Sequence, residues 1–329
     1  MPERAEMIRA SIQSAALGPF LLPRDYGLGP ILAVHDAGYV AYLRQAYALG
    51  QSYALDQAGP LKTGLVRARP VLAARSAVTL ARVSEPPRDY PGLRDYYTYD
   101  FEDPILNGTW TAAYWSAQSA LTAAELVRGG ERAVYALCRP PGHHATVDQY
   151  GGFCYLNNAA PAARELCRDG SVAILDVDYH HGNGTQAIFY ADPRVLYVSL
   201  HADPALDYPH FWGYRDEVGE GPGRGTNYNV PLSLGTGDTE YLVALDAALK
   251  VISGFAPRHL IVSLGLDAVR GDLIGKFGLT PEGWSEVGRR VAELALPTVI
   301  VQEGGYRQEG LGALVVAFLS HFLAPNERC

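Results

Sequence analysis

The sequence predicts an α/β fold in which helices cover both faces of a mostly parallel sheet. Short apolar segments alternate with longer helical patterns along the 329 residues. Several of the apolar segments are followed by polar loops that contain His, Asp and Gly. Alternation of this kind favours parallel strands joined by helical crossovers. Because neither an internal repeat nor an interior linker divides the chain, we expect one domain over residues 1–329.

The composition is that of an acidic globular protein. Hydrophobic residues make up 48% and charged residues 19% of the chain, which allows a sizeable core. The net charge of −8 argues against nucleic acid as the main partner and is compatible with a cationic substrate. No apolar segment has the length of a membrane span, and the first residues do not resemble a signal peptide. The four cysteines lack zinc-knuckle or CxxC spacing, so we expect a reduced, cytoplasmic compartment.

The first part of the chain is predicted to be mainly helical. Asp36 is a suitable N-cap for a helix that carries Tyr39 and Tyr42 on one face. Prolines, tyrosines and acids are typical of a long surface loop. The predicted elements are a helix at 3–15, a strand at 30–35, helices after Asp36 and at 61–83, a loop at 84–104 and a helix at 109–128.

The second part alternates between predicted strands and helices. The predicted strands are 133–138, 171–177, 194–200, 229–232, 259–264 and 297–301. The predicted helices are 157–168, 182–190, 240–252, 281–296 and 311–322. Their order is the basis for the parallel sheet.

The central motif is Asp178-Tyr179-His180, which follows the apolar strand at 171–177. Side chains two residues apart on extended chain project to the same side. The carboxyl edge of a parallel sheet is where such folds place their ligands, and a carboxylate with an imidazole suits a metal ion. An isolated pair of this kind is more often a helix cap and a surface histidine.

Three other loops follow predicted strands and supply further candidates. The segment RPPGHHA presents His143 and His144, which suit proton transfer near neutral pH. Asp267 is either a helix cap or a third metal ligand. The segment EGGY lets the backbone approach closely and brings Tyr306 towards the site as a donor to a developing oxyanion; the alternative for Tyr306 is a core tyrosine.

Together these segments resemble the zinc-dependent deacetylase family of histone deacetylases, bacterial deacetylase-like proteins and acetylpolyamine amidohydrolases. The resemblance runs from about residue 30 to the end. It rests on RPPGHHA (139–145), GGFCYLNNAA (151–160), ILDVDYHHGNGT (174–185), SLGLDA (263–268) and EGGY (303–306). It implies the arginase–deacetylase fold and metal-dependent hydrolysis of acetyl amides.

The resemblance also implies a role for individual residues. The implied zinc ligands are Asp178, His180 and Asp267. The implied catalytic residues are His143, His144 and Tyr306, with Asp176 behind His143 and Asn183 behind His144. The implied ligands of a structural potassium ion are Asp176, Asp178, His180, Ser199 and Leu200. The implied lining of the acyl tunnel consists of Gly151, Gly152 and Phe153.

Three features depart from the commoner family pattern. Asn183 stands where many histone deacetylases have Asp, and Glu303 replaces the third glycine of a GGGY loop. Both favour the acetylpolyamine branch. The chain also opens on PERAE (2–6), which the family usually reaches after a first strand and loop. We expect that opening segment to be absent here, with consequences for the sheet edge and one rim of the entrance.

We therefore expect hydrolysis of an N-acetylated polyamine or a similar slender amine. The aromatic loop at 201–214 would narrow the entrance, with Tyr208 as a tunnel wall. The acids Asp100, Glu102 and Asp103 would attract distal ammonium groups, Glu102 foremost. The resemblance implies a homodimer. The alternatives are an acetyl-lysine peptide deacetylase, a non-catalytic acyl-amine binding protein and an arginase-like di-manganese hydrolase.

Overall fold

The computed structural model describes residues 3–57, 86–100, 103–307 and 309–323. The helices are α1 (Glu3–Ser14), α2 (Gly29–Leu32), α3 (Ala37–Gln57), α4 (Tyr90–Tyr97), α5 (Thr109–Arg128), α6 (Ala159–Leu166), α7 (Asn183–Phe189), α8 (Asp238–Phe255), α9 (Pro281–Ala292) and α10 (Leu311–Leu319). The strands are β1 (Ala133–Ala136), β2 (Val172–Asp176), β3 (Val195–Ala202), β4 (Asn227–Leu232), β5 (His259–Leu264) and β6 (Thr298–Gln302). The predicted helix at 61–83 and Glu102 lie outside the described residues.

The strands form one parallel sheet in the order β1-β6-β5-β2-β3-β4. Alternate residues of β2 point to opposite faces. Ala173 and Leu175 pack against α1, α8, α9 and α10, whereas Val172 and Ile174 pack against α5, α6 and α7. A strand that is buried on both faces has to be apolar throughout. This confirms the prediction of a parallel sheet with helices on both sides.

The predicted strand at 30–35 is the first of two predictions for this part of the chain that are wrong. Residues 30–35 are not a strand, because Gly29–Leu32 form the short helix α2 with Pro30 in its first turn. Proline is tolerated there because the first N–H groups of a helix have no partner inside the helix. A short apolar run does not by itself separate strand from helix. The predicted N-cap is confirmed, since Asp36 Oδ1 accepts a hydrogen bond from Tyr39 N at 2.9 Å.

The predicted loop at 84–104 contains helix α4. Asp89 caps this helix by accepting a hydrogen bond from Gly92 N at 3.0 Å, and Pro91 lies in its first turn. The aspartate and the proline that favour a loop are therefore helix-start signals at this position. Among the described residues, no helix is both long and apolar enough to cross a membrane.

The strand order determines which loops meet. Strands β1, β6, β5 and β2 are neighbours and all run in the same direction. The loops that follow them leave the sheet at the same edge, and these four loops carry the three predicted zinc ligands, the histidine pair and Tyr306. The parallel order therefore gathers segments that are more than 100 residues apart in the chain.

Candidate active site

Three of the predicted metal ligands come together at the carboxyl edge of the sheet. Asp178 and His180 follow β2, and Asp267 follows β5. All three are buried, and one donor atom from each lies within 4.8 Å of the others. The Nδ1 atom of His180 is 3.4 Å from Asp178 Oδ1 and 3.1 Å from Asp267 Oδ2. Two carboxylates and one imidazole form a donor set that suits a zinc ion or a similar divalent metal.

The surroundings of these side chains also fit a metal ion. Gly304 N donates a hydrogen bond to Asp178 Oδ2 at 2.7 Å, and Tyr179 N donates one to Asp267 Oδ1 at 3.1 Å. A Cβ atom on residue 304 would lie 2.5 Å from a carboxylate oxygen of each aspartate. The close approach of backbone to carboxylates therefore requires glycine at this position. The two carboxylates are thus held by backbone N–H groups, and there is no room for a side chain at position 304.

The two adjacent histidines have different partners. His143 Nδ1 is 3.0 Å from Asp176 Oδ2, and His144 Nδ1 is 2.7 Å from Asn183 Oδ1. The two rings lie side by side, with their centroids 4.0 Å apart. The structure therefore places Asp176 and Asn183 where the sequence analysis expected them.

These partners lead to opposite protonation states. Burial opposes the charge on His143, but the carboxylates of Asp176 and Asp178 outweigh it and raise the pKa of His143 to about 10. Burial also lowers the pKa of His144, and the positive charge of His143 lowers it further, well below its usual value. A neutral asparagine does not compensate for these effects as a carboxylate would. Near pH 7 the pair thus favours a cationic His143 and a neutral His144.

Aromatic rings border the approach to this histidine pair. Phe153 is 43% exposed, and its ring lies edge-on to that of Tyr306 with 5.7 Å between the centroids. The ring of Tyr208 is 5.1 Å from that of His144 and 6.1 Å from that of His180. Gly152 has a φ of +57°, and a Cβ atom there would collide with the His144 ring. The predicted tunnel residues therefore do lie together above the site.

Tyr306 belongs to the loop after β6 and is held by residues that the sequence analysis missed. Asp272 Oδ2 accepts a hydrogen bond from Tyr306 N at 2.6 Å. The buried Arg4 side chain donates to the carbonyls of Glu303 and Gly304, and its guanidinium lies 5.1 Å from the centroid of the Tyr306 ring. Burial raises the pKa of Tyr306 well above its usual value, so the hydroxyl keeps its proton. The only available sequence signals were an arginine in the first helix and an aspartate next to Gly271.

The expected potassium ligands lie at the ends of the neighbouring strands β2 and β3 and in the loop after β2. Asp176 and Ser199 are partners in the β2–β3 register, and Asp176 is fully buried. Within the part of the chain that the structure describes, no backbone N–H donates to the carbonyls of Asp178 or His180. Buried carbonyls without a donor are suited to a monovalent cation. Leu200 follows Ser199 on β3.

Two acids of the loop before α5 contact the tunnel wall. Asp100 Oδ2 accepts a hydrogen bond from Gly152 N at 3.3 Å, and Asp103 Oδ1 accepts one from Phe153 N at 2.8 Å. Asp103 is buried, with 7% of its surface exposed. Phe153 has a φ of +64°, which is uncommon for a residue with a side chain. Both acids therefore support the Gly152–Phe153 turn, while Glu102 lies outside the described residues.

Known proteins share this fold and these segments. A family model described as the histone deacetylase domain matches residues 1–322. Acetylpolyamine amidohydrolase 1 of Pseudomonas aeruginosa is 45% identical over 98% of this chain and 90% of that protein. The crystal structure of acetylpolyamine aminohydrolase from Burkholderia pseudomallei has a TM-score of 0.87 and 42% identity, covering 98% of this chain and 90% of that one.

A more distant structure agrees with this assignment. The HD domain of HDA15 has a TM-score of 0.76 and 29% identity, covering 98% of this chain and 80% of that one. These similarities confirm the arginase–deacetylase fold that the sequence resemblance implied. The chain therefore belongs to the histone deacetylase family of hydrolytic enzymes.

Proposed function

We propose that this chain is a zinc-dependent amidohydrolase that removes acetyl groups from N-acetylated polyamines. One observation carries the proposal: two histidines, one paired with a carboxylate and one with an amide, lie side by side next to three buried metal donors. Hydrolysis of an unactivated amide needs a base for the attacking water and stabilisation of the charge that develops on the carbonyl oxygen. This arrangement supplies both.

Asp178, His180 and Asp267 would hold one zinc ion, which would supply Lewis-acid polarisation of the amide carbonyl. A potassium ion would stabilise the strand ends beneath the site. Its proposed ligands are the side chains or carbonyls of Asp176, Asp178, His180, Ser199 and Leu200. Both ions belong to the proposal, and metal analysis of the purified protein would test it: two manganese ions per chain would instead favour an arginase-like hydrolase.

The two histidines have different roles in this proposal. The amide oxygen of Asn183 is an acceptor, so His144 carries its hydrogen on Nδ1 and keeps the Nε2 lone pair free. In this proposal Nε2 takes a proton from the attacking water and later gives one to the leaving amine. His143 stays cationic beside Asp176 and stabilises the negative charge of the transition state.

Tyr306 is the proposed hydrogen-bond donor to the carbonyl oxygen. Its hydroxyl stays protonated because burial raises its pKa. As the C–N bond breaks, the oxyanion re-forms the C=O bond, the amine leaves with the proton from His144, and the acetic acid that remains loses its hydroxyl proton to solvent to give acetate. Tyr306 would thus act only while negative charge is on the oxygen, which is when a donor accelerates the reaction.

The aromatic rings above the site and the acidity of the chain support a slender cationic substrate. Phe153, Tyr208 and Tyr306 border the approach with aromatic rings, which suits the methylene chain of an alkyl amine. Glu102, with the overall charge of −8, would favour the distal ammonium groups. Two of the proteins named above are called acetylpolyamine amidohydrolase 1 and acetylpolyamine aminohydrolase. We further propose a single catalytic domain, a homodimer and a cytoplasmic location.

A comparison of substrates would test the proposal. Values of kcat/KM for acetylputrescine, acetylspermidine and an acetyl-lysine peptide would be measured side by side on the zinc-loaded protein. We expect the two acetylpolyamines to be the better substrates. A higher value for the peptide would favour the acetyl-lysine alternative, and binding of all three without turnover would indicate a non-catalytic acyl-amine binding protein.

A further inference from the structure

Glu303 is a fully buried carboxylate that has no role in the chemistry above. It directly follows β6, and its Oε2 atom accepts hydrogen bonds from Gly142 N at 2.7 Å and from His143 N at 3.2 Å. Its Oε1 atom accepts one from Ser263 Oγ at 3.2 Å. This one side chain therefore joins three neighbouring strands through the loop after β1, the end of β5 and the loop after β6.

The turn at residues 140–143, which Glu303 holds, also contacts other parts of the structure. Asn158 Nδ2 donates a hydrogen bond to Pro140 O at 3.1 Å, and Thr185 N donates one to His143 O at 3.0 Å. A Cβ atom on Gly142 would lie 2.8 Å from the Leu156 carbonyl. The turn thus has close contacts besides those with Glu303. The hydrogen bonds that Gly142 N and His143 N donate to Glu303 fix its distance from the end of β6.

The consequence is a restraint on the His143 ring. The N–H group of His143 is bound by Glu303 and its C=O group by Thr185. With both backbone groups held, the ring has a defined distance to Asp176, where Nδ1 lies 3.0 Å from the carboxylate. Catalytic groups lose much of their effect when they are displaced by even about 1 Å.

We propose that Glu303 is a positioning residue for His143, and that the site requires the length of its side chain rather than its negative charge. The two backbone donors share one oxygen of Glu303, and the third donor is a hydroxyl, which can also accept. Glutamine can therefore place its carbonyl oxygen towards the backbone and its NH₂ group towards Ser263 without losing a partner. Aspartate keeps the charge but is one methylene shorter, so it leaves the backbone N–H groups without their acceptor.

The test compares Glu303→Gln with Glu303→Asp in the full-length, zinc-loaded protein. The matched control is Asp192→Ala, because Asp192 also accepts from a backbone N–H, that of Arg194 at 3.0 Å, but precedes β3 at the opposite end of the sheet. For each variant kcat and KM for acetylputrescine, zinc content and Tm would be measured. We expect glutamine to keep kcat within about threefold and aspartate to lower it about 100-fold, with KM and zinc content nearly unchanged in both. The control should lower Tm without changing kcat.

A second measurement does not depend on turnover. The His143 Nδ1–H proton that is hydrogen-bonded to Asp176 should give a downfield signal in the NMR spectrum, assigned by its loss in His143→Ala. We expect the signal to persist in Glu303→Gln and to shift or broaden in Glu303→Asp. The inference rests on the proposed function only for the role of His143. An inactive wild-type protein would refute that function, while the NMR comparison would still decide the role of Glu303.

Three results would overturn the proposal. One is a Glu303→Gln variant that loses as much kcat as Glu303→Asp, because charge would then be the requirement. Another is full activity in Glu303→Asp. The third is an unchanged His143 signal in the aspartate variant, which would mean that the ring is held without Glu303.

Discussion

The contrast between the two histidines can be tested by replacing Asn183 with aspartate. Asn183 Oδ1 lies 2.7 Å from His144 Nδ1, and both residues are buried. Asn183→Asp adds a negative charge at this contact with almost no change in volume. The proton on His144 would then be stabilised as the proton on His143 is by Asp176.

The size of the effect follows from the geometry. Opposite unit charges about 4 Å apart interact with about 4 kcal/mol at an effective dielectric constant of about 20. That energy corresponds to a rise of about 3 pKa units, since one unit is about 1.4 kcal/mol. The new carboxylate is itself buried, and burial disfavours its charge, so we expect a rise of about 1 to 2 units for His144.

The direction in which Asn183→Asp changes the activity follows from the role of His144 as a general base. A general base must be unprotonated to accept a proton, and the pKa of His144 lies well below its usual value in the native protein. Raising this pKa moves the acidic limb of the kcat/KM profile to higher pH. Activity at mildly acidic pH would fall, whereas activity at alkaline pH would change less.

The assay is a pH–rate profile for acetylputrescine with wild type, Asn183→Asp and Asn183→Ser. Serine offers a neutral acceptor, so its acidic limb should stay close to that of the wild type. An unchanged acidic limb in a folded, zinc-loaded Asn183→Asp variant would refute the reasoning, because Asn183 would then have no influence on the ionisation of His144.

Three further predictions concern the metal ligands, the tyrosine and the entrance. Asp178→Ala and Asp267→Ala should each lose zinc and activity while the far-UV circular dichroism stays native, since the site lies at loop ends outside the core; near-normal zinc content would count against this ligand set. Tyr306→Phe should lower kcat about 100- to 1000-fold, and turnover within a few-fold of wild type would exclude Tyr306 as the oxyanion donor. Glu102→Gln should raise the KM for acetylspermidine several-fold and leave an uncharged aryl-acetamide unaffected; equal effects on both substrates would show that Glu102 does not bind an ammonium group.

Much of this protein was predictable because its motifs are local. The apolar strand β5 was predicted with its observed bounds, His259–Leu264, because a continuous apolar run followed by Gly and Asp is typical of a buried parallel strand. Asp178 and His180 are two residues apart, so the local bend of the chain just after β2 is enough to bring them together. The adjacent histidines after Pro-Pro-Gly are similarly close in sequence.

Other features were not predictable, because their partners are distant in the sequence. The apolar run at 30–35 became a helix, a choice that depended on packing Ile31 into a cluster with Tyr39 and Tyr97. Arg4 contacts the loop after β6 about 300 residues later. A buried arginine in the first helix carries no local sign of such a partner.

The sequence by itself determined the chemical types at the site: two carboxylates and an imidazole as candidate metal ligands, two histidines as candidates for proton transfer and a tyrosine as a candidate donor. Only the tertiary structure decided which residues hold these side chains and which of the side chains are protonated. The strand order β1-β6-β5-β2 brings Glu303 beneath the His143 turn and places Asp176 against one histidine and Asn183 against the other. Hydrogen bonds and charges act over a few ångströms in space, and that proximity is created by the parallel sheet rather than by the order of residues in the chain.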